Sequence, residues 1–172
     1  MTSDTIKLLA RYNAHANTEM GRVVEQLSDE EWNRSRGGYY PSIRSLCSHL
    51  FVSDLAWLRR FATLRPFAYA HHAIFQRNPA WGELLFPSFH DYETDRKGLD
   101  DGLTRFAGEV TSEDLSKRLR YKNFKGIDQE RDVAGLIMHM FNHQTHHRGM
   151  ISLYLDLAGK ENDFSNLFVL VD

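Results

Sequence analysis

Residues 139–149 read HMFNHQTHHRG and lie in a longer segment with helical periodicity. Positions spaced alternately three and four residues apart form one stripe of a predicted helix. The stripe comprises Val133, Leu136, Met140, His143, His147, Met150 and Tyr154. Two histidines therefore occupy the middle of a face that is predicted to be buried. The opposite face, toward solvent or a partner, carries Asn142, Thr145, Gly149, Ser152 and Asp156.

His143 and His147 are four residues apart, so their side chains are neighbours on the helix surface. A single buried histidine is more often a hydrogen-bonded core residue than a ligand, but two on one buried stripe each need a polar partner. One metal ion would satisfy both rings, since Zn–N bonds are about 2.0–2.1 Å long. His139 and His146 flank the stripe as candidates for contacts with the ligands or a substrate, although a surface position is the simpler interpretation.

The composition is that of a soluble globular protein, with 42% hydrophobic and 26% charged residues. We interpret residues 1–172 as a single domain. A net charge of −2 without a basic run argues against nucleic-acid binding. No apolar run approaches the ~18 residues of a membrane span. The single cysteine, Cys47, and the lack of a signal peptide predict a cytoplasmic protein.

Four long amphipathic helices are predicted, and they indicate an all-α four-helix bundle. They cover residues 4–27, the segment from the N-cap Ser42 to about Thr63, residues 89–109, and the segment from Asp132 to Gly159. Residues 64–87 form a long crossover between the second and third helices. Short helices are predicted after Ser28 and Thr111, and a β-hairpin or extended link over residues 118–130. The apolar tail, residues 164–170, is predicted to dock on the bundle or on a second subunit.

Polar residues interrupt the predicted core at a few positions. Asn13 breaks the stripe of the first helix near His15, and it is either a hydrogen-bonded helix contact or a neighbour of a metal pocket. His49 lies among small residues at the edge of the second helix's apolar arc, which suits a ring that reaches another helix. Cys47 points away from His49 and is interpreted as a core residue. The charged residues of the third helix, including Arg96 and Asp100, are expected to face solvent.

Spacing excludes three familiar chemistries. A di-iron bundle needs a glutamate three residues before its histidines, and none precedes His49, His139, His143 or His147. A zinc-protease helix needs His-Glu-x-x-His, but Gln144 occupies the position of the general base. The sequence contains no G-x-S-x-G motif, so a serine nucleophile of that kind is not indicated.

The remaining candidate is a three-histidine site that combines His49 with His143 and His147. Three protein ligands leave open coordination positions, as in catalytic rather than structural metal sites. Nitrogen ligands favour Zn, Ni, Fe or Cu over Mg or Ca.

The segment Tyr12 to Asn17, His49 and the Asn-His-x-x-His-His-Arg-Gly core of residues 142–149 resemble the signature of the DinB family of metal-dependent four-helix bundles. The resemblance spans essentially the whole chain. It implies a divalent-metal site at His49, His143 and His147 and often a homodimer. His15 stands where the family commonly has Trp, and Met150 stands where it commonly has Gln. Both departures concern the identity of the substrate, and neither removes a metal ligand that the resemblance implies.

Characterised members of the family that this sequence resembles include thiol-dependent S-transferases and a maleylpyruvate isomerase, which use low-molecular-weight thiols. The first hypothesis is therefore a thiol S-transferase that acts on a small-molecule substrate with Zn or Ni. Arg148 either holds a carboxylate of the thiol or substrate or forms a surface or dimer salt bridge. The alternatives are a non-catalytic metal-binding or stress-response protein and a metal-dependent hydrolase.

Overall fold

Four long helices form the framework of the protein. The computed structural model describes residues 1–171. The long helices are α1 (Ser3–Val24), α3 (Ile43–Phe61), α4 (Phe89–Glu109) and α6 (Val133–Leu157), and the short ones are α2 (Asp29–Asn33) and α5 (Ser112–Ser116). The predicted all-α four-helix bundle, with its long crossover between the second and third long helices, is confirmed.

Side-chain caps explain where the helices begin. The hydroxyls of Ser42, Ser88 and Thr111 each accept a hydrogen bond from the backbone N–H three residues later, in capping boxes. Asp132 caps α6 through Oδ2, 2.7 Å from the backbone nitrogen of Gly135. Beyond the end of α6, Gly159 adopts a left-handed φ of 71°.

The first helix is shorter than predicted. It ends at Val24 rather than at residue 27, and the backbone N–H groups of Gln26 and Leu27 instead form turn hydrogen bonds to residues 23 and 24. This turn leaves Ser28 extended, so its hydroxyl can cap α2.

Residues between the helices form two further features. The crossover contains two short 3₁₀ helices, Ala68–His71 and Ala73–Gln76, which pack against α4. The segment after α5 is an antiparallel β-hairpin of β1 (Arg118–Lys122) and β2 (Asp128–Asp132), in which Arg118 pairs with Asp132. Of the two predictions for this segment, the hairpin is therefore correct.

The bundle packs α1 against α4 and α6, and α3 against α4 and α6, around an apolar core. The tail docks only in part, since Phe164 is buried while Phe168 and Val169 are exposed. Within residues 1–171, no helix is both long and apolar enough to cross a membrane.

Candidate metal centre

Three histidine rings meet where α3 packs against α6. His49 comes from α3, and His143 and His147 come from successive turns of α6. The Nε2 atom of His143 lies 3.0 Å from Nε2 of His49 and 3.1 Å from Nε2 of His147. All three ligand atoms lie within 4.8 Å of one another, and such a group can hold a metal ion.

The surroundings keep these three rings uncharged. Burial, followed by the positive charge of nearby histidines, lowers the pKa of His49 and of His143 to about 4 and the pKa of His147 to about 3. A histidine must be neutral to bind a metal ion. The three rings are therefore available as ligands at neutral pH without first losing a proton.

The nitrogen positions match the requirements of a transition metal. Tetrahedral zinc with Zn–N bonds of about 2.0–2.1 Å places two ligand nitrogens about 3.3 Å apart, close to the observed 3.0 and 3.1 Å. A hydrogen bond between two facing Nε2 atoms uses the lone pair of only one ring, whereas one cation can accept all three lone pairs. Neutral nitrogen donors suit Zn or Ni better than Mg or Ca.

An aromatic side chain from the loop before α3 covers His49. The Tyr40 ring stacks on the His49 ring, with centroids 4.3 Å apart and planes 23° apart, and its hydroxyl lies 2.9 Å from Nδ1 of His49. Its edge also meets the His147 ring at 5.4 Å. The loop is held from α6, because the Tyr154 hydroxyl lies 2.7 Å from the carbonyl oxygen of Gly37 and 3.0 Å from that of Tyr40.

Two exposed aromatic rings lie beside the histidines. Trp81, in the crossover, meets the His49 ring edge-on at 5.9 Å, and Phe124, in the hairpin turn, stacks on Trp81 at 5.2 Å. Trp81 is 47% exposed and Phe124 is 60% exposed. Exposed aromatic rings beside convergent polar groups are typical of ligand-binding surfaces. Tyr40, Trp81 and Phe124 were not predicted as site residues, because they lie in loops without periodicity.

The chain is similar to known proteins over nearly its whole length. The family model described as "DinB family" matches residues 1–167. The chain belongs to the DinB family. It is 27% identical over 159 residues to Protein DinB of Bacillus subtilis. The aligned region covers 91% of this chain and 88% of that protein.

Crystal structures of two DinB-like proteins share the fold. The protein from Bacillus cereus has a TM-score of 0.62 and 16% identity, over 86% of this chain and 88% of its own. The protein from Bacillus subtilis has a TM-score of 0.63 and 15% identity, over 90% of this chain and 94% of its own.

In this member of the DinB family, the flanking histidines lie outside the group of three. His139 is exposed, and its ring packs edge-on against Trp57 at 5.6 Å and lies 5.9 Å from the His143 ring. His146 is exposed beside His147, with ring centroids 4.8 Å apart. His15 is partly buried on α1. Within residues 1–171, none of them joins the group that can hold a metal ion.

Asn13 and Arg148 belong to a buried polar network. Asn13 donates a hydrogen bond from Nδ2 to Asp100 at 3.1 Å and accepts one from Nη1 of Arg148 at 2.5 Å. For Asn13, the structure therefore shows the hydrogen-bonded helix contact. Arg148 is only 3% exposed, so the prediction of a surface or dimer salt bridge is wrong. Its guanidinium is engaged by the amide oxygens of α1 and of Gln144.

The same network contains two residues whose environment was predicted wrongly. Arg96 and Asp100 were expected on a solvated face of α4, but both are buried. Arg96 donates hydrogen bonds to Asp54 at 2.8 Å and to Asp100 at 2.7 Å. Gln144 also donates to Asp54. The helical spacing of Arg96 did indicate its burial, because Arg96 continues the inward stripe formed by Tyr92, Leu99, Leu103 and Phe106.

Proposed function

We propose that this chain is a metal-dependent thiol S-transferase in which His49, His143 and His147 hold one divalent cation, Zn or Ni. The convergence of three neutral Nε2 atoms, with separations of 3.0 and 3.1 Å, carries the metal-binding part of the proposal. Among residues 1–171, no fourth His, Cys, Asp or Glu joins the group. Three protein ligands would leave coordination positions for a small molecule, as in catalytic metal sites.

The transferred sulfur would come from a low-molecular-weight thiol. A bound divalent cation supplies Lewis acidity, which favours the deprotonated form of a thiol at neutral pH. The thiolate sulfur forms a bond to an electrophilic carbon, the leaving group departs with the bonding electron pair, and the thiol proton passes to solvent. Cys47 is unsuited to supply the sulfur, because it is buried in the core and burial raises its pKa to about 12.

The exposed aromatic rings support a small electrophile with a flat apolar part. The Trp81 ring lies 5.9 Å from the His49 ring, and Phe124 extends this apolar surface by stacking on Trp81. Such surface gains free energy when an apolar group covers it. The electrophile would therefore lie against Trp81 while its reactive carbon faces the three histidines.

Hydrolysis by a bound hydroxide would use the same histidines but receives less support. The carboxylate of Asp54, five residues after His49, is fully buried and is engaged by Arg96 and Gln144. It therefore does not serve as a general base for a water molecule at the three histidines.

The test combines metal content with turnover. Protein loaded with Zn or Ni is incubated with a panel of low-molecular-weight thiols and an aromatic electrophile such as 1-chloro-2,4-dinitrobenzene. We expect His143→Ala to lose both metal and turnover, while the control His146→Ala, an exposed neighbour on α6, keeps its metal. Turnover by metal-free His143→Ala protein would refute the proposal. A loaded wild type that transfers sulfur from no thiol would favour a non-catalytic metal-binding protein instead.

We also propose that the chain forms a homodimer through the exposed face of α6. Met138, Leu153 and Leu157 leave apolar surface on this face, with exposures of 46%, 55% and 66%. Exposed apolar surface of this kind favours association. Sedimentation equilibrium should give twice the chain mass for the wild type and one chain mass for Leu153→Glu, and a monomeric wild type at micromolar concentration would contradict the proposal.

A further inference from the structure

We propose that Tyr40 is a positioning residue that orients His49 for metal binding. When the lone pair of Nε2 faces the other two histidines, Nδ1 of His49 carries the proton and donates a hydrogen bond to the hydroxyl oxygen of Tyr40. The 2.9 Å distance is that of a good hydrogen bond, and the stacked rings, 4.3 Å apart, restrict rotation of the imidazole. This inference rests on the proposed metal site.

His49 needs such a partner more than the other two histidines do. His143 and His147 are placed relative to each other by one turn of α6, whereas His49 approaches alone from α3. The Nδ1 atoms of His143 and His147 are buried and have no hydrogen-bond partner among residues 1–171. Nδ1 of His49 also lies 3.5 Å from the hydroxyl of Ser53, which is the outer limit for a hydrogen bond. Tyr40 is therefore the effective partner.

Hydrogen bonds to the second nitrogen of a metal-binding histidine affect the metal directly. They fix the tautomer and the ring orientation, and their removal typically lowers metal affinity by about 10- to 100-fold. A rotation of the His49 ring by half a turn would exchange Nε2 for a carbon atom, and the hydrogen bond to Tyr40 opposes that rotation.

The chain places Tyr40 through a loop that α6 holds in position. Gly37 and Gly38 adopt left-handed φ angles of 82° and 80°, which allow the chain to fold back over His49. Tyr154 fixes the loop by its contacts to two carbonyl oxygens. The helix that carries two of the histidines thus also secures the residue that orients the third.

The test compares two neighbouring tyrosines. Tyr40→Phe removes the hydroxyl and keeps the ring, while Tyr39→Phe makes the same change at a side chain that is 88% exposed. Zinc affinity is measured by competition with a chelator, after circular dichroism has shown that each variant is folded. We expect a 10- to 100-fold loss for Tyr40→Phe and less than about a twofold change for Tyr39→Phe.

A spectroscopic measurement distinguishes orientation from general packing. In zinc-loaded protein with ¹⁵N-labelled histidine, one Nδ1–H proton should resonate downfield and exchange slowly with solvent, and this signal should disappear in Tyr40→Phe. If Tyr40→Phe does not fold, Tyr154→Phe serves instead, with a smaller loss of zinc affinity expected.

The outcomes separate this inference from the proposed function. Wild-type zinc affinity in folded Tyr40→Phe, or in Tyr154→Phe where it replaces that variant, would overturn the role of Tyr40 and leave the metal site intact. Equal losses in Tyr40→Phe and Tyr39→Phe would also overturn it. A wild type that binds no zinc would overturn both proposals.

Discussion

Replacing Arg96 by methionine tests the buried network most severely. Its guanidinium lies between the carboxylates of Asp54 and Asp100, at 2.8 and 2.7 Å, and its side chain is 4% exposed. Methionine preserves much of the apolar stem but leaves two buried carboxylates without their shared cation. Removing one partner of a buried ion pair typically costs about 3–5 kcal/mol of unfolding free energy. At about 2–4 °C per kcal/mol for a chain of this size, the melting temperature should fall by about 6–20 °C.

Arg105→Met on the same helix is the matched control. Arg105 pairs with Asp101 at 2.9 Å, but its side chain is 60% exposed. Exposed pairs of this kind contribute about 0–1 kcal/mol. Urea unfolding of both variants measures the difference. A loss below about 1 kcal/mol for Arg96→Met, equal to that of the control, would refute the view that Arg96 neutralises buried charge.

The stability loss of Arg96→Met should also depend on pH. Burial raises the pKa of Asp54 and of Asp100, with Arg96 opposing that rise. Without Arg96 both pKa values rise further, so the folded variant binds protons more readily than its unfolded chain does. The deficit relative to wild type is therefore largest at neutral pH and shrinks as the pH falls. A deficit that grows between pH 7.5 and pH 5 would contradict this reasoning.

Three further predictions concern the metal centre and its rim. The pKa values of the three histidines lie at about 3 to 4, so zinc affinity should change less than about tenfold between pH 7.5 and 5.5. A site of three histidines with ordinary pKa values would lose about 1000-fold in zinc affinity over the same range. Chelator competition at both pH values measures the change. Trp81→Ala should raise KM for the aromatic electrophile without changing KM for the thiol, and equal changes would argue against an apolar subsite. Gly38→Ala should weaken zinc binding more than Gly37→Ala, since a Cβ at residue 38 would lie 3.2 Å from the Tyr154 hydroxyl while residue 37 faces open space; equal affinities would contradict the role of the loop.

The sequence predicted those features that repeat along a helix or cap one. The serines at residues 42 and 88 marked helix starts because hydroxyl capping is a local interaction. His143 and His147 were paired by their spacing and by their place on one apolar stripe, since side chains four residues apart are neighbours on a helix. The structure brings His49 to the same point, as the edge position on its helix suggested.

Several other features that depend on tertiary contacts were not predicted. The burial of Arg96 and Asp100 depends on Asp54 and the α1 amides, which lie far away in the sequence. Charge alone favoured a solvated position, although the helical stripe placed Arg96 inward. Tyr40 and Trp81 reach His49 from loops, where side-chain direction follows from turns and long-range contacts rather than from a period.

Elemental analysis of untagged protein tests the central claim most directly. The three-histidine centre predicts about one Zn or Ni per chain in the wild type and in His139→Ala, whose exposed ring lies outside the group. His147→Ala should contain almost none, because two nitrogen ligands hold the cation much less tightly than three. No bound metal in the wild type after reconstitution with Zn or Ni, or full metal content in His147→Ala, would contradict the claim.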